Sequence, residues 1–251
     1  MPDPWAQTIV TVGLLKRIHG RWSYLPLGFA YYVRHQTFAL RCIRVRGEAV
    51  VFRTKFAQAV RLIVHLAKVF SKAPMLLVAD SWFGNRGFLQ PLRAALGARV
   101  HLLSRLRVNA VLDERPTPTP AVPGRPRKYG ARLGNSAQLA TALRGDARTY
   151  TLNLYGVMRE VVAVECLVML NSLRCQVRVV WVFRNTQWVA LVATDLTLTL
   201  PQTVEYYGAR WKIQAGFREI KREIGSAETQ TRNPGAVTNH LNFCLAATAI
   251  T

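Results

Sequence analysis

The stretch "YYGARWKIQAGFREIK" (206–221) places Tyr207, Arg210, Gln214 and Lys221 three, four and seven residues apart. At about 100° per residue of α-helix, those offsets gather all four side chains in a sector of roughly 60°. An amphipathic helix ordinarily turns its apolar stripe inward and scatters its charges outward. Here one face carries a phenol, two cations and, centrally, an amide. Arg forks and Lys point charges suit phosphate oxygens, so the chemistry such a face can do is to hold a phosphodiester backbone. A single carboxylate elsewhere is placed for chemistry. Asp80, in "LLVADSWFGN", ends a short apolar run, and functional groups of open α/β sheets gather beyond the carboxyl ends of strands. The alternative for Asp80 is the N-cap of the helix that follows, a position Asp favours.

Cutting a phosphodiester with two divalent ions about 4 Å apart takes at least two acids, usually three. The other aspartates do not offer themselves. Asp113 heads a proline-rich stretch, Asp146 follows Gly145 in a turn, and Asp195 ends an apolar run where a turn or cap is expected. Asp3 stands too near the first apolar run to occupy a strand of its own.

The elements that position these groups are legible in outline. Residues 5–15 and 22–33 are rich in β-branched and aromatic side chains and read as two strands joined by a basic turn. Residues 54–70 show helical periodicity without Gly or Pro. A strand over 73–80, a helix over 86–97 closed by Gly97, and a strand over 98–107 complete an α/β pattern. Residues 113–132 then hold five of the twelve prolines and five basic residues, so they form a loop or linker. The stretches 148–170, 174–185 and 187–195 read as an antiparallel meander. Helical period returns from Leu200 to about Gly225, and a further helix begins near 236. Trp181 and Trp188 in the meander read as core, with base stacking as the alternative.

Composition names the partner. With 34 Lys+Arg against 13 Asp+Glu, the net charge is +21, and nucleic-acid phosphate is the commonest anion to neutralise such an excess. A GC-rich genome is the competing source, since 27 of the 34 cations are Arg. Cys42, Cys166, Cys175 and Cys244 show neither zinc spacing nor a disulfide framework, which fits reduced thiols. The first twenty residues lack the pattern of a signal peptide, and no apolar run reaches the ~20 residues a spanning helix needs. The expectation is a protein that stays inside the cell without a membrane partner.

The two motifs together, "LLVADSWFGNRGFLQPL" followed after an insertion by "YYGARWKIQAGFREIKREIG", resemble the DDE transposases of bacterial insertion sequences. The resemblance is to the group whose last catalytic helix carries a Tyr-x2-Arg-x3-Glu-x6-Lys signature, and it spans nearly the whole chain. It implies a ribonuclease-H-like (retroviral-integrase-like) α/β core interrupted by a β-rich insertion domain. The implied division is 1–107 for the first part of the core and 108–199 for the basic linker and insertion. Residues 200–251 would then hold the signature helix and the start of a helical C-terminal part. It also implies magnesium-dependent (or manganese-dependent) strand cleavage and transfer on double-stranded DNA at transposon ends. A homodimer in the DNA complex and a cytoplasmic, nucleoid-associated location in a bacterium follow from the same likeness.

By that likeness Asp80 matches the second catalytic Asp and metal ligand, and Tyr207, Arg210 and Lys221 match the groups that contact the transposon-end backbone. Two departures accompany the match. The catalytic Glu falls on Gln214, and an amide is a poor partner for a hard dication. Glu219 and Glu223 lie about 140° and 180° around the helix and do not replace it. The strand that carries the first Asp should stand before the hairpin and is not found, which leaves an exposed β edge that invites aggregation. The expectation is a transposase by descent, inactive as written. The alternative is a non-catalytic DNA-binding remnant or interfering transposase fragment, and a basic RNA-binding protein is the third reading.

Overall fold

The computed structural model describes the chain from Thr8 to Ile250 apart from residues 41, 43, 46–47, 118–126, 227 and 229–232. Asp3, the first residues of the expected opening strand and residues 118–126 of the proline stretch lie outside the described residues. The chain divides into two compact units, Met1–Ser71 with Trp211–Thr251, and Lys72–Arg210. The boundaries expected at 108 and 200 fall inside the second unit.

In the first unit, β1 (Thr8–Ile18) and β2 (Arg21–Tyr32) form an antiparallel hairpin. The strands run further toward each other than expected, because a two-residue turn with both His19 (φ 49) and Gly20 (φ 77) left-handed matches their twist. A short helix α1 (His35–Leu40) and a two-residue ladder of β3 (Arg44–Val45) and β4 (Glu48–Ala49) follow. Then comes α2 (Lys55–Val69), capped by the Thr54 hydroxyl accepting from the Ala57 amide. The unit is completed from the chain's end by α6 (Trp211–Arg222) and α7 (Pro234–Ile250), whose labels follow chain order.

A register shift between Val12 and Gly13 decides how this hairpin carries helices on both faces. Tyr24 and Phe29 are an odd number of residues apart, so a regular strand would point them to opposite sides. With the bulge, both meet α6 and its neighbour. Tyr24 packs against Gly216 and Phe217, and Phe29 against Ile220, Cys244 and Leu245. On the other face Gly28 lies against Leu62 of α2. The Tyr24 ring is held between two glycines: a Cβ on Gly216 would stand 2.5 Å from Tyr24 Cδ1, and one on Gly13 would strike the far side of the ring.

The second unit is built on one eight-stranded mixed sheet. It opens with β5 (Met75–Ala79), α3 (Arg86–Leu96) and β6 (Val100–Arg105), the two strands parallel. Gly97 closes α3 at φ 71, as the sequence predicts. Next come β7 (Val111–Asp113), β8 (Arg132–Asn135) and α4 (Ser136–Ala142), then β9 (Arg148–Leu154), β10 (Val157–Leu170), β11 (Cys175–Arg184) and β12 (Gln187–Ala193). The last four are consecutive antiparallel neighbours, the meander that the alternation predicts. β12 pairs with β6, so the order runs β5-β6-β12-β11-β10-β7-β8, with β9 also on β10. Helix α5 (Leu200–Ala209) starts with a Thr199–Gln202 capping box and lays Leu200 and Val204 on a core of Leu103, Val180, Leu191 and Ala193. Trp181 is core: fully buried, it donates its indole N–H to the Ser136 carbonyl at 3.1 Å. Among the described residues no helix is long and apolar enough to cross a membrane.

Two outcomes follow for the first unit. Gly216→Ala should cost roughly 1–3 kcal/mol, because the ring it strikes cannot retreat from Gly13; chemical denaturation measures it. Burial pushes the Tyr24 hydroxyl's pKa up, with the Thr11 hydroxyl pulling the other way. The folded state then resists phenolate, so Tyr24 contributes its stability below about pH 10 and loses it as pH rises further. Between pH 8 and pH 11, Tyr24→Phe should lose less stability in urea than the unaltered chain; equal losses would show that this phenol does not titrate with unfolding.

Candidate nucleic-acid site

Asp80 follows the last residue of β5 and is exposed, with its neighbouring strand position in register with Ser104 and Arg105 of β6. Its Oδ1 accepts from the Trp82 amide at 2.9 Å. Asn85 ties down the same turn, donating from Nδ2 to the Trp82 carbonyl at 2.6 Å. The N-cap of α3 is Asn85, whose side chain makes no capping bond, so Asp80 is not the helix cap. One carboxylate oxygen braces a five-residue turn, and the exposed side chain presents the other to solvent. Beneath the turn lies Ser104, wholly buried, whose Oγ has no hydrogen-bond partner among the described residues. A Cβ on Gly84 would strike that Oγ, so only glycine lets the turn sit this close to β6.

The other described aspartates of this unit stand elsewhere. Asp195 accepts from the Thr197 amide (3.0 Å) and hydroxyl (2.7 Å), the turn role its sequence context predicts. Desolvation raises the Asp195 pKa, but Thr197 and the nearby His101 outweigh it and hold the carboxyl below its ordinary range. Ala193 pairs with Leu103 while Ala79 pairs with Ser104, and the two chains leave β6 in opposite directions. Asp80 and Asp195 are therefore separated by about 13 Å along the strand. Asp113, buried on β7, stands five strands away across the sheet, about 24 Å. Asp146 lies in the short turn after α4.

The helix expected to run unbroken from Leu200 to Gly225 is two helices, interrupted at Arg210, where the amide bonds back to the Tyr207 carbonyl at 3.1 Å. α5 buries Leu200, Thr203, Val204, Gly208 and Ala209 in the second unit, and α6 buries Gly216 and Ile220 in the first. The expected face therefore divides. Tyr207 is half-buried against the second unit's core, with the Arg210 guanidinium 5.3 Å from its ring centroid. Arg210 is itself half-buried, and its Nε lacks a partner among the described residues. Gln214 and Lys221 belong to the first unit and are exposed on α6.

On α6 the exposed face is wider than its motif. Trp211, Gln214, Arg218, Lys221 and Arg222 are all exposed and fall within about 100°. Arg218, four residues after Gln214, and Trp211, three before it, were missed by motif reading; their i, i+4 and i, i−3 spacing was the available signal. The face carries three cations, an indole and an amide. It can grip phosphate but gives a dication no charged ligand.

The mixed sheet and the helices packed on it make this an α/β protein. The profile of DDE superfamily endonucleases matches residues 1–158, well over half of the chain, and the protein belongs to that superfamily. The match includes Asp80 and stops short of Gln214. No curated protein matches the chain. The superfamily implies a transposase-like nuclease with DNA as its substrate, and its endonucleases generally depend on a divalent metal. Asp80, a single carboxylate with one oxygen already engaged, is by itself a poor donor set for the hard dications of a two-metal centre. Among the described residues no three His, Cys, Asp or Glu side chains gather to hold a metal.

The Asp80 turn yields a double-mutant test. Gly84→Ala should destabilise by roughly 1–3 kcal/mol, and Ser104→Ala alone should be nearly neutral, since its hydroxyl makes no bond to lose. In the Ser104→Ala background the Gly84→Ala cost should largely vanish, read as a coupling energy from denaturant melts.

Proposed function

We propose that the chain descends from a transposase of a bacterial insertion sequence with a ribonuclease-H-like core and a β-rich insertion after it, and now binds double-stranded DNA without cutting it. The observation that carries this reading is the exposed α6 face, where Arg218, Lys221 and Arg222 surround Gln214. Transposon ends are the natural target of that face, Arg210 and Tyr207 are further candidates for backbone contact, and a homodimer on DNA in a bacterial cytoplasm is the natural assembly. Asp80 remains from the catalytic set as its metal ligand. Magnesium or manganese is the family's metal, and Gln214 offers no charge to bind it. Interference with an intact copy, by occupying its ends, is the activity this leaves.

Duplex affinity should fall steeply with salt, and Lys221→Ala, which removes an exposed cation without touching the core, should reduce the log–log slope by about 0.9. Arg210→Ala tests the same backbone but also strips packing from Tyr207. With magnesium or manganese no strand cleavage is expected; robust cleavage that disappears in Asp80→Ala would overturn the reading.

A further inference from the structure

The face of the hairpin opposite α6 holds a cavity of about 690 Å³ between β2 and α2, entirely within the first unit. Arg53, Arg61, His65 and Lys68 line it, all exposed. None of the four has an ion-pair partner among the described residues. Arg61, His65 and Lys68 stand at i, i+4 and i+7, a row about 10 Å long on α2. That row is long enough to meet about two consecutive phosphates of one extended strand.

The remaining wall is apolar. Leu62 and Val64 come from α2, and Val51 from the segment before it, 66% exposed where a surface valine has no packing role. Gln58 also lines the cavity, pinned by its Nε2 donating to the Tyr31 carbonyl at 2.8 Å, and its Oε1 has no donor among the described residues. A cationic row beside an apolar wall with an unpaired acceptor suits one class of ligand. Duplex DNA presents phosphates but keeps its base faces stacked away, so the apolar wall would meet nothing. An unpaired strand offers phosphates to the row, base faces to the wall, and exocyclic amines to the acceptor.

We propose that this groove is a binding site for single-stranded DNA, separate from the duplex-binding face of α6. Its occupant is a strand end freed from pairing, with the backbone along Arg61, His65 and Lys68 and one or two bases against Val51 and Leu62. The site stands on different residues from the α6 face, on the opposite side of the hairpin, so either holds without the other.

The test uses the full chain and fluorescence anisotropy with one labelled 20-mer, single-stranded and as a duplex. Arg61→Glu with Lys68→Glu should weaken single-strand binding at least ~10-fold and reduce its salt slope by about 1.4, 0.7 per phosphate contact. Duplex affinity should change several-fold less. Val51→Asp, which adds a carboxylate on an exposed wall and leaves every cation in place, should weaken the single strand selectively as well. All these positions are exposed, so unchanged thermal melts are expected. Unaltered single-strand affinity in the charge variant, an equal proportional loss for the duplex, or indifference to Val51→Asp would each overturn the groove. Arg218→Glu with Lys221→Glu is the companion variant: failure to weaken the duplex there sinks the α6 reading and leaves the groove to its own result.

Discussion

The Tyr24 ring, wedged between Gly13 and Gly216, is the contact on which the cationic helix α6 depends. α6 is a short helix with low mean hydropathy and only two fully buried residues, so propensity does not hold it in place. What holds it is close approach. Glycine at 216 lets the helix backbone settle on an aromatic ring, and glycine at 13 lets that ring lie flat on the neighbouring strand. The same contact fixes rotation: with Gly216 and Ile220 inward, Gln214, Arg218 and Lys221 have nowhere to go but out. The bulge at Val12–Gly13 makes the arrangement possible, since it brings Tyr24 and Phe29 to one side and leaves Gly28 free to receive α2 on the other.

The second unit solves a different problem, how to hold a single acid at a strand end. Asp80 is positioned by its own turn: the Trp82 amide and Asn85 amide group close a loop whose glycine fits over Ser104. A rigid turn is useful for catalysis only where other ligands converge on it, because bridging two cations needs charge from several directions. Among the described residues Asp113 lies in the core, and Asp146 and Asp195 lie in turns.

Much of this was legible from residue order. Thr54, Gly97 and the apolar periods place α2, α3 and the strands between them, because those signals are local and strong. The hairpin was legible too, though its turn was drawn too wide. Lys16 and Arg17 look like loop residues until the left-handed pair His19–Gly20 shows that the strands continue past them. α4 escaped notice since seven residues give no period; only its Asn135–Gln138 capping box marked it. The break at Arg210 was the consequential miss. Every residue from 206 to 222 is compatible with one helix, and no local signal marks the interruption at Arg210. It changes the meaning of the motif, for the sector that points outward on α6 is half-buried on α5, which is why Tyr207 and Lys221 do not share an environment. Arg218 was overlooked for a simpler reason: a motif names its own positions and is silent about the neighbour one turn away.

The amide at 214 separates two properties that fail in different ways. A metal centre is cooperative, since each ligand is useful only if the others hold the ion, so losing one acid removes the chemistry rather than a fraction of it. A cationic face is graded, each Arg or Lys adding its own share of phosphate attraction. Replacing an acid by an amide on such a face even helps the grip. A carboxylate about 6 Å from a phosphate would cost about 0.7 kcal/mol in water, and more where solvent is excluded. Gln214 removes that repulsion while Arg218, Lys221 and Arg222 stay in place. An amide amid those cations therefore leaves their attraction for an anion undiminished, whereas a carboxylate there would subtract from it.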